Sequence, residues 1–257
     1  MMRLVSFVFA ALLGIVAALV GFAPATLADW GLQQATAGRL GLAETDGTVW
    51  RGSGRLVLID VNGRQRASRT VAGVAIPGRV RWSVNMLPLA LGIIDAGVRL
   101  DGMADVVRLS GGLREMRISA GQLSLPSVDL GRLGSPWNTI KPAGALALRW
   151  DGLTLRQGSF DGRADIELRN MASALTPVNP LGSYRIGVVG EGSQARLDIN
   201  TINGPLLLEG QGTWNSRQGV RFTAQASAEE RESARLATLL GLIGRREGDK
   251  TLIKIGA

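Results

Sequence analysis

The residues whose type and setting could do chemistry are two glutamates, Glu167 and Glu209. Each stands in a stretch that reads as a strand, and a pair of carboxylates is all a glycoside hydrolase needs, one as acid and one as nucleophile or base. The rest of the catalytic vocabulary is missing. The chain has no histidine and no cysteine, which removes the usual general base near neutral pH, the commonest metal ligand, the thiol nucleophile and the disulfide. A strand glutamate is far more often a solvated alternate than a catalyst. The sequence therefore assigns no catalytic residue, no metal ligand and no cofactor, and the chain reads as non-enzymatic.

Other motifs reduce to structure in the same way. Gly190-Glu191-Gly192 and Gly210-Gln211-Gly212 lack the spacing of a phosphate-cradling loop and read as strand or turn glycines. Trp50, Trp82, Trp137, Trp150 and Trp214 are spread along the chain; they are candidates for a carbohydrate or lipid platform, and core and sheet-edge packing explains them at least as well. The net charge is +8, and of 29 basic residues only Lys141, Lys250 and Lys254 are lysine. The arginines are scattered over the polar alternates of strands. Their one dense group, Arg64, Arg66 and Arg69, reads as a loop, so a solvated arginine-rich surface is expected and no nucleic-acid partner.

The elements that must carry these side chains are mostly strands. Arg79–Val84, Arg163–Arg169, Ala195–Asn200 and Val220–Ala226 alternate apolar and polar residues with period two. Asp46-Gly47, Asn62-Gly63, Asp101-Gly102, Asp151-Gly152, Asp161-Gly162 and Asn203-Gly204 have the chemistry of tight hairpins. A G-x-L-x-L pattern recurs at Gly54, Gly121, Gly144 and Gly204, consistent with repeated hairpins in one long meander. Met86–Leu91, apolar with a proline, is expected as a turn of helix or a loop on the covered face. Met171–Leu181, with Pro177 and Pro180, reads as a long crossover or as a hinge between two halves. Near the C-terminus Ser227 and Glu230 form a capping box, Leu236, Leu239, Leu240 and Ile243 follow at helical spacing, and Thr251–Ile255 reads as a closing strand.

The N-terminus is of a different character. Leu4–Phe22 carries no charge, and as a helix it would be roughly 28 Å long, close to the hydrocarbon thickness of a bilayer. Thr26-Leu27-Ala28 offers only a weak cleavage signature, so the run reads as an uncleaved anchor in preference to an exported signal. Arg3 on its short flank keeps that end cytoplasmic. Pro24–Leu40 reads as a short helix leaving the membrane, closed by Gly38 and Gly41. The expected fold is thus mainly β: a single transmembrane helix, an extended, curved antiparallel meander and a short C-terminal helix. Its domains are 1–23, the cytoplasmic tip and anchor, and 24–257, a β-rich body on the far side of the membrane with a hinge near 171–182 if it has two halves.

Several stretches carry a family likeness: Gly47-Thr48-Val49-Trp50-Arg51-Gly52, Arg81-Trp82 followed by Leu87-Pro88-Leu89, Gly121-Gln122-Leu123-Ser124-Leu125, Pro142-Ala143-Gly144, Asn179-Pro180-Leu181-Gly182-Ser183-Tyr184, and the run from Gly204-Pro205-Leu206 to Gly212-Thr213-Trp214. In this order, from about residue 22 to 226, they resemble the N protein of the bacterial type II secretion system. They are turn and packing residues, and no site transfers with them. The resemblance implies a single-pass inner-membrane protein with a periplasmic domain, supporting export of folded proteins across the outer membrane. It implies as partners the inner-membrane platform, the C-type linker protein and the secretin, and no small-molecule substrate. A rival comes from another class, an envelope protein of the AsmA type that carries lipid along an apolar β-groove. The covered face discriminates them, because a scaffold fills that face with its own helix, such as Glu229–Ile243, whereas a groove leaves it open.

Overall fold

The computed structural model describes residues 21–59, 73–112, 114–129 and 140–256. The apolar run therefore lies outside the described residues except for Gly21 and Phe22, as do Arg64, Arg66, Arg69, Asn62-Gly63 and Trp137. Among the described residues no helix is long and apolar enough to cross a membrane. The chain forms two compact units, Met1–Asp101 and Gly102–Ala257.

In the first unit, helix α1 (Thr26–Ala35) leads into β1 (Leu40–Gly47). β1 pairs antiparallel with β2 (Arg51–Ile59), and β2 carries β3 (Gly73–Ala75) and β4 (Val80–Val84) end to end along its other side. Helix α2 (Met86–Ala90) then turns the chain into β5 (Ile94–Leu100), which pairs with β4. The helix after Pro24 is shorter than the sequence predicts: it ends at Ala35, and Gly41 lies inside β1. Asp29 explains how α1 is seated. Its Oδ1 accepts a hydrogen bond from the Leu42 amide at 2.6 Å and its Oδ2 one from Gln33 at 2.9 Å, so a helix side chain engages a backbone donor of β1.

The second unit is a meander. β6 (Val107–Gly111) pairs with β7 (Glu115–Ile118). β7 and β8 (Gly121–Asp129) lie end to end, as do β9 (Pro142–Trp150) and β10 (Leu153–Arg156), and both of the latter pair with β11 (Ser159–Ser173). β12 (Gly182–Glu191), β13 (Gln194–Asn203), β14 (Leu206–Asn215) and β15 (Gly219–Ala228) follow, each antiparallel to the last. A 3₁₀ turn (Glu230–Glu232) and helix α3 (Ser233–Ile243) precede β16 (Arg245–Glu247) and β17 (Lys250–Ile255), and β17 inserts between β15 and β16.

Register sorts the side chains into rows that cross the strands. Leu123, Leu148, Ile166, Ile186, Ile199, Gly210, Ala224 and Ile253 oppose one another in turn. One residue along, Ser124, Ala147, Glu167, Arg185, Asn200, Glu209 and Gln225 form a row on the opposite face. Period-two alternation in each strand, kept in register, thus makes one apolar and one polar face.

The apolar face is closed at one end by α3. Leu236 and Leu239 are fully buried there against Leu206, Val178 and Leu181. Met171–Leu181, expected from its prolines as a crossover or hinge, lies within the second unit, its first three residues ending β11 and the rest packed as the connection to β12. Thr176 Oγ1 donates to the Arg235 carbonyl at 3.2 Å, and Val178 and Leu181 are core residues. Four expectations give way to other geometry. Ser227 remains paired in β15 opposite Leu207, so the capping box does not form and the helix begins at Ser233. Asp151-Gly152 marks the break between β9 and β10 rather than a hairpin, and Asp161-Gly162 lies inside β11. Asn203-Gly204 does turn β13 into β14, with Gly204 at φ 117. Met86–Leu91 is helical as expected but exposed, with Leu87 85% and Leu91 80% accessible, rather than on a covered face.

Replacing Leu236 by Ala leaves a cavity in the core under α3, and a loss of about 2–5 kcal/mol in denaturant-measured stability is expected. The equally conservative Leu242→Ala, at an exposed position of the same helix, should change stability by less than about 1 kcal/mol.

Candidate functional site

The polar face of the second unit is where its charges gather. Arg163, Asp165, Glu167 and Arg169 alternate along β11, Arg185 stands on β12, Arg196 and Asp198 on β13, and Arg221 on β15. A depression of about 760 Å³ lies on this face, lined by Gln122, Ser124, Arg149, Asp165, Glu167, Arg169 and Arg185, with Gly102–Ala104 beside it. The last segment is held by a bridge from Met103 to Leu123 and by the Ser124 amide donating to the Gly102 carbonyl at 2.9 Å.

Glu167 lines this depression. Arg169, two residues along the same strand, reaches its Oε2 at 2.6 Å, and Arg185 reaches Oε1 from the neighbouring strand at 3.2 Å. These hydrogen bonds, Arg169's first and then Arg185's, hold the Glu167 carboxyl below the usual carboxylate range. Glu115 shows the same arrangement with Arg117 and then Arg156. In the first unit Asp101 is lowered chiefly by the hydrogen bond it accepts from the Arg79 amide at 2.9 Å. Burial raises Tyr184, the phenol that donates to the Leu206 carbonyl at 3.0 Å.

This geometry separates the two glutamates nominated for hydrolysis. They lie in one row, but β12 and β13 stand between their strands, so three strand spacings put them about 14 Å apart. The carboxyl pairs of glycosidases lie about 5–10 Å apart. A general acid also needs a raised pKa, and Glu167 is shifted the other way. Glu209 is exposed on β14. Among the described residues no group of three His, Cys, Asp or Glu side chains is placed to hold a metal ion. What the face can do is present an ordered array of guanidinium and carboxylate groups to another polar surface.

The aromatic residues have a different task. Trp82 crosses over Gly52, where an added Cβ would meet the ring at 2.5 Å, and its Nε1 donates to the Val49 carbonyl at 3.0 Å. In the second unit Trp150 repeats this device over Gly121, with Nε1 donating to the Ser119 carbonyl at 2.9 Å. Phe222 lies over Gly212 and Phe160 over Gly190. Trp150 on β9 and Trp214 on β14 have β11, β12 and β13 between them and form no common platform. The sequence alone marks Gly190 and Gly212 as strand or turn glycines, without the rings that cover them. The signal for their role was the tryptophan or phenylalanine that alternation puts on the same face of the next strand.

The fold defines a class: a mainly β protein of antiparallel meanders, its second unit closed at one end by its own helix and carrying a charged face. The family model for protein N of the type II secretion system (T2SS) matches residues 38–252, and the chain belongs to that family. Family membership implies a role in type II secretion, in a family of accessory secretion components. No curated protein and no solved structure shows a significant match. Most of the stretches that carry the likeness prove to be packing and turn devices, among them Gly52 under Trp82, Gly121 under Trp150, the core residues Leu181 and Leu206, and the turn at Gly204.

Because Glu167 has a lowered pKa in the folded state, its ion pairs contribute above its ordinary value and are lost as pH falls through the folded value. A carbon-13 carboxyl titration should give Glu167 a midpoint below the ordinary glutamate value. Arg169→Gln and Arg185→Gln should each raise it, and Arg163→Gln should leave it where it is.

Proposed function

We propose that this chain is a non-enzymatic, inner-membrane-anchored periplasmic component of the type II secretion machine, a scaffold that offers sheet surface to partner domains. The observation that carries this reading is the family match across residues 38–252, which spans nearly the whole β body. The apolar run Leu4–Phe22 supplies the anchor and Arg3 the cytoplasmic flank. The inner-membrane platform, the C-type linker protein and the secretin are the proposed partners, with the charged face of the second unit as the docking surface. Helix α3 supports a scaffold over a lipid-conducting groove, because Leu236 and Leu239 fill the end of the apolar face that such a groove would need open.

Deleting the chain tests the reading. Export of folded periplasmic proteins should fall while outer-membrane permeability to lipophilic dyes stays unchanged. Unchanged exoprotein levels beside a permeability defect would overturn the scaffold in favour of the lipid carrier. A chain bearing Arg185→Glu, which places two like charges side by side with Glu167, should fold yet secrete less than the wild type.

A further inference from the structure

Among the described residues of the first unit, exposed apolar side chains crowd together between β4 and β5. In the eight residues from Met86 to Ile93, Met86 is 41% accessible, Leu87 85%, Leu89 38%, Leu91 80% and Ile93 48%. No charged side chain lies between Arg81 and Asp95, and Asp95 accepts a hydrogen bond from Asn85 at 2.5 Å. Helix α2 thus stands at the tip of the β4–β5 connection with its leucines facing water.

The neighbours of this tip indicate what covers it. The Ala23 carbonyl accepts from the Val49 amide at 2.9 Å, and the Trp50 carbonyl accepts from the Val84 amide at 2.7 Å. The residue that follows the apolar run, the turn between β1 and β2, and the end of β4 are therefore consecutive neighbours along one end of the sheet. Two strand spacings, about 10 Å, separate the backbone at Ala23 from that at Val84, two residues before α2 begins. Phe22, 81% accessible, and Leu27 in the first turn of α1, 49% accessible, stand at the same end. The apolar tip is placed beside the point where a segment of bilayer length enters the domain.

We propose that this end of the first unit rests in the interfacial layer of the bilayer, with Leu87 and Leu91 inserted among the lipids beside the anchor. The proposal rests on reading Leu4–Phe22 as that anchor. The partner is the lipid surface itself, since anchoring holds the tip within reach of it and removes most of the entropic cost of contact. Charge plays a minor part, because among the described residues the tip carries Asp95 and, on the adjoining strand, Arg51 opposite Ser83. Contact should therefore survive high salt.

The absence of cysteine allows a clean test. Leu87→Cys and Leu91→Cys replace exposed side chains, and each full-length variant would carry an environment-sensitive fluorophore in phosphatidylethanolamine–phosphatidylglycerol proteoliposomes. Arg39→Cys, exposed at the far end of β1 in the same unit, serves as the control. Lipids with a nitroxide near the top of the acyl chain should remove about half of the emission at positions 87 and 91, as for a group about 5–10 Å below the headgroups. They should leave position 39 bright, in low and high salt alike. Blue-shifted emission at 87 and 91 without nitroxide quenching would mean that protein, such as a second copy, covers α2, and would overturn the proposal. Water-like emission there would overturn it as well. Alkaline carbonate extraction of the same vesicles separates the two readings: retained protein with unquenched labels removes the tip contact alone. Released protein whose labels were quenched before extraction removes the anchor but leaves the contact standing.

Discussion

Alternation held in register along the middle of β8, β9, β11 to β15 and β17 is the constraint on which the second unit depends. Each strand presents every other residue to one face, so a slip of one position in a single pairing exchanges the faces for every strand beyond it. Ile166, Ile186 and Ile199 would then meet water, and Glu167 and Arg185 would lie against an apolar row. The ion pairs of Glu167 and the packing of α3 on Leu206 both follow from that single choice of register. Exposed salt bridges contribute little to stability by themselves. Here they sort right from wrong registers, since only the native pairing sets Arg185 opposite Glu167.

Glycine is the second device of the sheet. A strand glycine has no side chain to pack and weakens its strand, unless a ring from the neighbouring strand covers the gap. Gly121 under Trp150 and Gly212 under Phe222 meet that condition, and the indole of Trp150 also satisfies the Ser119 carbonyl where β7 gives way to β8. Large rings and bare backbone thus fill one another's space along the apolar face. Burying such area is where most of the sheet's stability arises.

Much of this fold was legible in the sequence. The period-two windows at Arg79–Val84, Arg163–Arg169 and Val220–Ala226 fall in β4, β11 and β15, and Leu236 and Leu239 occupy the core positions that helical spacing assigns them. What was hidden lies between strands. Asp161-Gly162 has the chemistry of a turn, yet Asp161 accepts the Gly192 amide at 2.8 Å and pairs with Arg156, so tertiary partners keep it within β11. The prolines of segment 174–181 outweighed Val178 and Leu181, whose apolar character was the signal for its burial. Of the candidate site, the i, i+2 spacing of Glu167 and Arg169 was visible, whereas Arg185 joins them only through the pairing of β11 with β12. The family was legible because turn and packing residues are what such a sheet must keep.

A meander can in principle add strands without limit, because its last strand always offers a row of free amides and carbonyls. This chain ends otherwise. β17 folds back beside β15, and β16, only Arg245-Arg246-Glu247, takes the outer position. Three exposed, charged residues make a poor template for another strand. The sheet carries its own terminator, and many copies can be crowded on one surface without polymerising through that edge.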